Sequence, residues 1–290
     1  MIIIFGTRTY FASNKVRQNA FCDHCGNFAA QKSFTAMTFF HLYYIPLIPT
    51  QGKRRHHKSC SSCRQELVFE PETHEALSLR VKERSADAIV ALHEGQTKFR
   101  EVAGGEFGEN LDVDGGGDAG DDAGDELTPC GPFLRGAVDW FFASGEADFC
   151  RSVVEQLSHP EHQSIRHMVA GDLAMYESRY DDALSAYHAA TGSRDADGQP
   201  DPAPYMAAGN LLMHTGKLEP AITVYEKLLK DIDDVTWTAS VRNTLAGLYF
   251  QTRRYREAVE TMDALMKQHP ELTADRAFMK KYNKAVKKAA

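Results

Sequence analysis

Residues 101–130 contain no lysine or arginine, against ten aspartates and glutamates. From Gly104 to Asp125 there is little but Gly, Asp, Glu and Ala, including Gly115-Gly116-Gly117, so the stretch has almost nothing to bury and cannot offset its ordering entropy. Residues 103–130 therefore read as an acidic, disordered linker. Asp112, Asp114, Asp118, Asp121, Asp122 and Asp125 do not make a calcium hand, because the terminal Glu and flanking helices are not in place. Also lacking is any run of about 18–20 apolar residues of the kind that crosses a bilayer as a helix. The longest candidate, Met37–Pro49, is broken by His41 and two prolines. Met1–Phe5 is apolar but has no charged segment before it, and Arg8 interrupts it, so secretion is not expected. No Ser-His-Asp grouping, phosphate-binding glycine loop or open-shell metal motif is visible, which argues against an enzyme.

Cysteine is scarce too. Six in 290 residues is too few for a disulfide scaffold, and four of them form two Cys-x-x-Cys pairs. That pattern points to metal thiolates in a reducing, cytoplasmic compartment. Cys22, Cys25, Cys60 and Cys63 are the expected ligands, with 34 residues between the pairs. Two such knuckles supply a closed tetrahedral S4 set for structural Zn2+, and iron is chemically compatible with the same set. Gly26 can take the positive φ that turns backbone N–H groups toward sulfur, whereas Arg64 holds the matching place in the second pair. Phe34–Ile48 and Gln65–Glu70 read as strands that the metal would staple. His24, His56, His57 and His74 are spare ligands in polar stretches, where exposure to solvent is expected.

The segment resembles a zinc-ribbon family in its opening Ile-Phe-Gly-Thr-Arg (4–8), its first cysteine pair followed by Gly26-Asn27, its Tyr-Ile-Pro-Leu-Ile-Pro (44–49) and its second pair. The resemblance covers about a quarter of the chain and implies metal binding.

Charge sections the rest. Residues 1–70 carry a net +6 and residues 131–290 a net −3. The expected organisation is a ribbon over 1–70, a helical connector over 71–102, the acidic linker, and a helical domain over 131–290. In that last domain three segments superpose at Gly171, Gly209 and Ala246, at Tyr180, Leu218 and Tyr255, at Ala183, Ala221 and Ala258, and at Tyr187, Tyr225 and Met262. The equivalent alanines are 38 and 37 residues apart. Small residues suit close helix crossings, with aromatics beside them. The pattern resembles the tetratricopeptide repeat. A degenerate unit around Gly145–Cys150 precedes these three, and a capping helix with Phe278, Tyr282 and Val286 on one face follows.

The fold class is thus multidomain, a small β zinc ribbon plus an all-α, right-handed tetratricopeptide solenoid. The resemblance implies a concave surface lined by Ile165, Met168, Asp172, Met175, Met206, Asn210, Met213, Asn243 and Phe250. A Met-rich lining suits an apolar or amphipathic segment of a protein partner, and the function expected is that of an interaction adaptor. Alternatively these methionines are core, or the chain's own last helix covers them. Two further readings use the ribbon: nucleic-acid binding through Lys53, Arg54, Arg55 and Lys58, or peripheral membrane association through Phe39–Ile48 beside the same cations.

Overall fold

The computed structural model describes residues 5–42, 45–100, 127–159, 162–192, 194, 201–232 and 235–289. The chain divides into two compact units, Met1–His162 and Gln163–Ala290.

The first unit opens with an antiparallel sheet in the order β1 (Phe5–Phe21), β2 (Phe28–Leu42), β3 (Ile45–Cys60), β4 (Leu67–Phe69). The long β1 was not foreseen, because its Thr, Asn, Lys and Arg dilute the apolar alternation. The expected strand Phe34–Ile48 is divided between β2 and β3, which pair from Leu42↔Ile45 back to Gln31↔Cys60. Irregularities in register fall between Tyr10 and Ser13 and between Ser13 and Val16 of β1. There Phe11 and Asn14 adopt left-handed φ values of 57° and 49°, as β-bulges require of an extra residue.

Three helices complete this unit: α1 (Pro71–His93), α2 (Cys130–Ser144) and α3 (Ala147–Gln156). Pro71 sits at the start of α1, where its missing N–H costs nothing. Leu134, Val138, Phe141, Cys150 and Val153 are fully buried between them. Gln18 Nε2 donates to Asp139 Oδ1 at 3.0 Å, and Arg55 donates from Nη2 to the Ala143 carbonyl at 3.0 Å, so α2 is docked on the sheet. This corrects the boundary expected at residue 131. The helices α2 and α3 belong to the compact unit of the ribbon, because the ribbon's own polar side chains end on α2.

Of the acidic linker expected over 103–130, residues 103–126 lie outside the described residues, whereas its last four positions form the strand Leu127–Pro129 and the first residue of α2, Cys130. The flanks of 101–126 form the two-stranded sheet β5 (Lys98–Arg100) and β6 (Leu127–Pro129), paired antiparallel from Lys98↔Pro129 to Arg100↔Leu127. Both flanks lie in the first unit, so the acidic segment joins two paired strands of one body.

The second unit consists of helix pairs α4 (Gln163–Tyr176) with α5 (Tyr180–Ala190), α6 (Pro202–His214) with α7 (Leu218–Asp231), and α8 (Val235–Gln251) with α9 (Tyr255–Gln268), then a 3-10 turn at Pro270–Ala274 and α10 (Arg276–Ala289). Within each pair the turn carries one left-handed residue: Ser178 (φ 62°), Gly216 (75°) and Arg253 (64°). Two backbone bonds close each turn, such as Gly216 N to Met213 O at 3.1 Å and Lys217 N to Leu212 O at 2.9 Å, the pattern of a Schellman cap. Gly145 (φ 91°) closes the α2–α3 turn with the same two bonds. The degenerate unit therefore has the repeat's turn, although it is packed in the first body.

Inside the pairs, Gly171 and Gly209 face the rings of Tyr187 and Tyr225. A Cβ at these glycines would lie 2.4 and 2.5 Å from ring atoms, so only glycine admits the tyrosine at this crossing. The Tyr187 hydroxyl donates to Asp172 Oδ1 at 2.8 Å and that of Tyr225 to Asn210 Oδ1 at 2.7 Å. In the third pair the set changes together, to Ala246, Gly247 and Met262. Helix α10 packs on α9 as α6 packs on α5 and α8 on α7, and so extends the stack by one helix. Its inward stripe is Phe278, Tyr282 and Ala285; Val286, expected on that stripe, is 41% exposed.

Candidate metal centre and interaction surfaces

The two cysteine pairs are built alike. Cys22 N donates to Asn27 O and Cys60 N to Gln65 O, both at 3.0 Å. Gly26 N donates to Cys22 O at 2.8 Å and Arg64 N to Cys60 O at 2.9 Å. Gly26 and Arg64 have φ of 66° and 63°. The second knuckle thus forms the same left-handed turn with arginine, at a strain of about 1 kcal/mol.

The four Sγ atoms lie within 4.8 Å of one another. Cys22 Sγ and Cys63 Sγ are 3.8 Å apart. A tetrahedral ion with metal–sulfur bonds of about 2.3 Å places its sulfurs about 3.8 Å apart, so this pair already has the spacing that zinc requires. The protonation chemistry agrees. Burial alone would raise the Cys60 thiol, but N–H donors from Cys63 and Ser62 and the adjacent Cys22 thiol bring it down to about 7. The Gln65 N–H lowers Cys63, but desolvation and hydrogen bonds among the thiols outweigh it, pushing Cys63 up to about 11. Four clustered sulfurs cannot all ionise unaided, and a divalent cation is what lets them. The set fits a closed structural metal centre. Distances alone do not select zinc over iron.

The cations around the centre do not form the open cluster that the nucleic-acid and membrane readings require. Lys58 is mostly buried and reaches both Asp23 and Asp139 at 2.5 Å. Burial works against its charge; Asp139 and Asp23 outweigh that and hold its pKa above the usual lysine range. Arg55 is 6% exposed and gives Nη1 to the Asn14 carbonyl at 2.9 Å as well as Nη2 to Ala143. Arg54 pairs with Glu70 at 3.0 Å, and Lys53 is exposed.

Two of the histidines are likewise inward, against expectation. His57 is fully buried, its ring 4.3 Å from that of Trp140, while His74 stacks on the same indole at 5.1 Å. Desolvation first, then the charges of His74, Lys58 and Arg55, lower His57 to about 3. Burial and Arg55 lower His74 to about 4. No sequence pattern links residue 57 to residue 140; the contact is tertiary. Cys130 and Cys150 are fully buried away from the centre, and burial pushes the Cys150 thiol up to about 12.

In the helical unit the residues named for a concave lining separate into two groups. Met168, Asp172 and Met175 are buried at 4, 3 and 6% exposure, and Asp172 is engaged by Tyr187. These three are packing residues, which corrects their assignment to an open surface: the Tyr187 ring and hydroxyl hold them inside. Ile165, Met206, Asn210, Met213 and Phe250 are half-buried and Asn243 is exposed. Asn210 accepts from Tyr225, and Phe250 lies beneath the ammonium groups of Lys284 and Lys288 at 5.4 and 5.8 Å.

The tetratricopeptide repeat family model matches residues 168–234, which span α4 to α7. No curated protein matches the chain. The chain thus joins a cysteine-clustered, zinc-ribbon-like sheet to tetratricopeptide repeats. Among the described residues no helix is long and apolar enough to cross a membrane.

Proposed function

We propose that the protein is a metal-stabilised interaction adaptor whose helical repeats bind an apolar or amphipathic segment of a protein partner. The observation that carries this reading is the repeat match over 168–234, since repeats of this kind serve as interaction surfaces. Cys22, Cys25, Cys60 and Cys63 hold structural Zn2+, with all four positions taken by thiolates. The ion supplies folding energy and leaves no open position for a substrate. Ile165 on α4, Met206 and Met213 on α6 and Asn243 on α8 are residues of the proposed lining that remain at least partly accessible, and the two thioethers suit a partner of variable shape.

The test compares proteins captured from the native cell by the wild-type chain and by Met206→Glu/Met213→Glu. Partners lost with the double variant, while helical content and metal are retained, support the reading. Identical capture by both chains removes it. Nucleic-acid binding by the ribbon is weaker on this geometry, because Arg54, Arg55 and Lys58 are spent on Glu70, on backbone carbonyls and on Asp23 and Asp139.

A further inference from the structure

The sheet is built in two halves of different chemistry. Its half near the cysteines is docked on α2 through Gln18, Arg55 and Lys58. The outer half, from Phe11 toward the β2–β3 connection, carries Tyr10, Phe11, Phe39, Phe40 and Ile48. Phe11 is 68% exposed and Ile48 61%. Phe11 packs edge-on against Phe39 at 5.3 Å, and Tyr10 does so at 6.1 Å. Ile48 pairs in register with Phe40, the neighbour of Phe39 along β2, and successive residues of a strand point to opposite faces. The arm therefore presents apolar groups on both faces. Phe11 does so from a left-handed backbone (φ 57°), a costly conformation for an aromatic residue at an exposed bulge.

Just inside this apolar half lies a groove of about 390 Å³ lined by Ala12, Lys15, Val16, Arg17, Lys32, Ser33 and Phe34. Lys15, Arg17 and Lys32 are exposed, and among the described residues no carboxylate stands against any of them. Arg17 and Lys32 sit directly opposite each other across β1 and β2, where like charges destabilise a sheet. Only Asp23 is acidic among residues 1–65. An anion in the groove would relieve that repulsion.

We infer that the outer half of the β1–β2–β3 arm docks on a bilayer containing anionic phospholipid, its aromatic end entering the interface and Lys15, Arg17 and Lys32 holding phosphate headgroups. A protein groove would match one face of the arm, whereas an apolar phase that surrounds it satisfies both. Phe11 follows the Tyr10↔Met37 pair, and from Met37 to Phe40 is three residues, roughly 10 Å at the usual strand rise, which matches the 5–10 Å depth at which interfacial elements lie. β1 is an edge strand of the sheet, which limits entry to the hydrated interface.

The full-length, metal-loaded protein is floated with phosphatidylcholine vesicles, with and without phosphatidylglycerol. It is expected to float with the anionic vesicles alone. Phe11→Ser/Ile48→Ser and Lys15→Gln/Arg17→Gln/Lys32→Gln should each lower the bound fraction at least tenfold, with metal content and circular dichroism unchanged. A Phe11→Trp chain, with the wild-type emission of Trp140 and Trp237 subtracted, should show a blue shift on anionic vesicles and none on neutral ones. Absence of flotation, equal flotation on neutral vesicles, or undiminished binding by the Phe11/Ile48 variant overturns the inference. So does displacement from vesicles by DNA or RNA with an unshifted Phe11→Trp emission, which would assign the cationic groove to nucleic acid.

Discussion

Replacing Gly209 by alanine tests the packing of the repeat most directly. In an exposed helix this change stabilises by about 1 kcal/mol, because glycine has the greater backbone entropy to lose. Here the new Cβ would stand 2.5 Å from Cζ and 2.6 Å from Cε2 of Tyr225, a ring that is fully buried. The ring cannot swing clear without breaking its 2.7 Å bond to Asn210. Overpacking of this kind costs about 1–3 kcal/mol, and loss of the hydroxyl bond adds about 1 kcal/mol. Net destabilisation of about 2 kcal/mol is expected after the propensity gain is subtracted. The third pair shows the compensating arrangement, Ala246 with Met262. Gly209→Ala in a Tyr225→Met background should therefore be neutral or stabilising, giving a coupling energy of about 2 kcal/mol in a double-mutant cycle. Urea unfolding followed by far-UV circular dichroism measures all four chains. A coupling below about 0.5 kcal/mol, the usual scatter of additivity, would refute the steric account.

Cys60→Ser should reduce bound metal from one ion per chain to a fraction of that and unfold the sheet, and chelation of the wild type should do the same; atomic absorption with near-UV circular dichroism reports both. His57 contributes a pH dependence whose sign follows from its lowered pKa. Between about 3 and the usual imidazole value of 6.5 the unfolded chain binds a proton that the folded chain does not. Its contribution is complete above pH 6.5 and declines as pH falls, by about 1.4 kcal/mol per pH unit near pH 5. His57→Phe, which keeps a ring against Trp140, should flatten that slope at constant metal content in denaturant titrations from pH 5 to 7. Arg253→Gly removes the left-handed strain at the α8–α9 turn and should raise stability by about 1 kcal/mol, whereas Gly216→Arg at the equivalent turn should lower it by a similar amount; thermal melts of the pair decide this.

The helical repeat could be read from sequence because its constraints recur. Gly171 and Gly209 with Tyr187 and Tyr225 are local pairs 16 residues apart, inside one helical hairpin, so the alignment that finds the period also finds the contact. The cysteine knuckles were legible for a related reason: each is set by a four-residue turn, and tetrahedral sulfur chemistry brings the two turns together. What escaped was tertiary and without period. The Asp172 carboxylate looked like a groove residue from its helix position, and only the hydroxyl of Tyr187 shows why it is inside. His57 and Arg55 looked solvated because their sequence neighbours are Lys and Arg. Trp140, Ala143 and Asn14, the groups that bury them, come from other parts of the chain.

The charge sections of the sequence do not coincide with the bodies of the fold, and the reason is physical. A strongly basic 1–70 and an acidic 101–130 suggest separate pieces, yet part of the basic surplus is consumed where the sheet meets α1 and α2. There Lys58 meets Asp139, and Arg55 ends on the last turn of α2, where helix carbonyls present negative charge. The cations left over, Lys15, Arg17, Lys32 and Lys53, are exposed, Lys53 opposite Met37 at the arm and the other three on the strands that lead into it. Pairing of β5 with β6 brings the two flanks of the acidic segment together on the same body, although the sequence separates them by 26 residues. Net charge per section thus reflects two different placements, one internal and structural, the other on the open surface, where the proposed anionic bilayer would meet it.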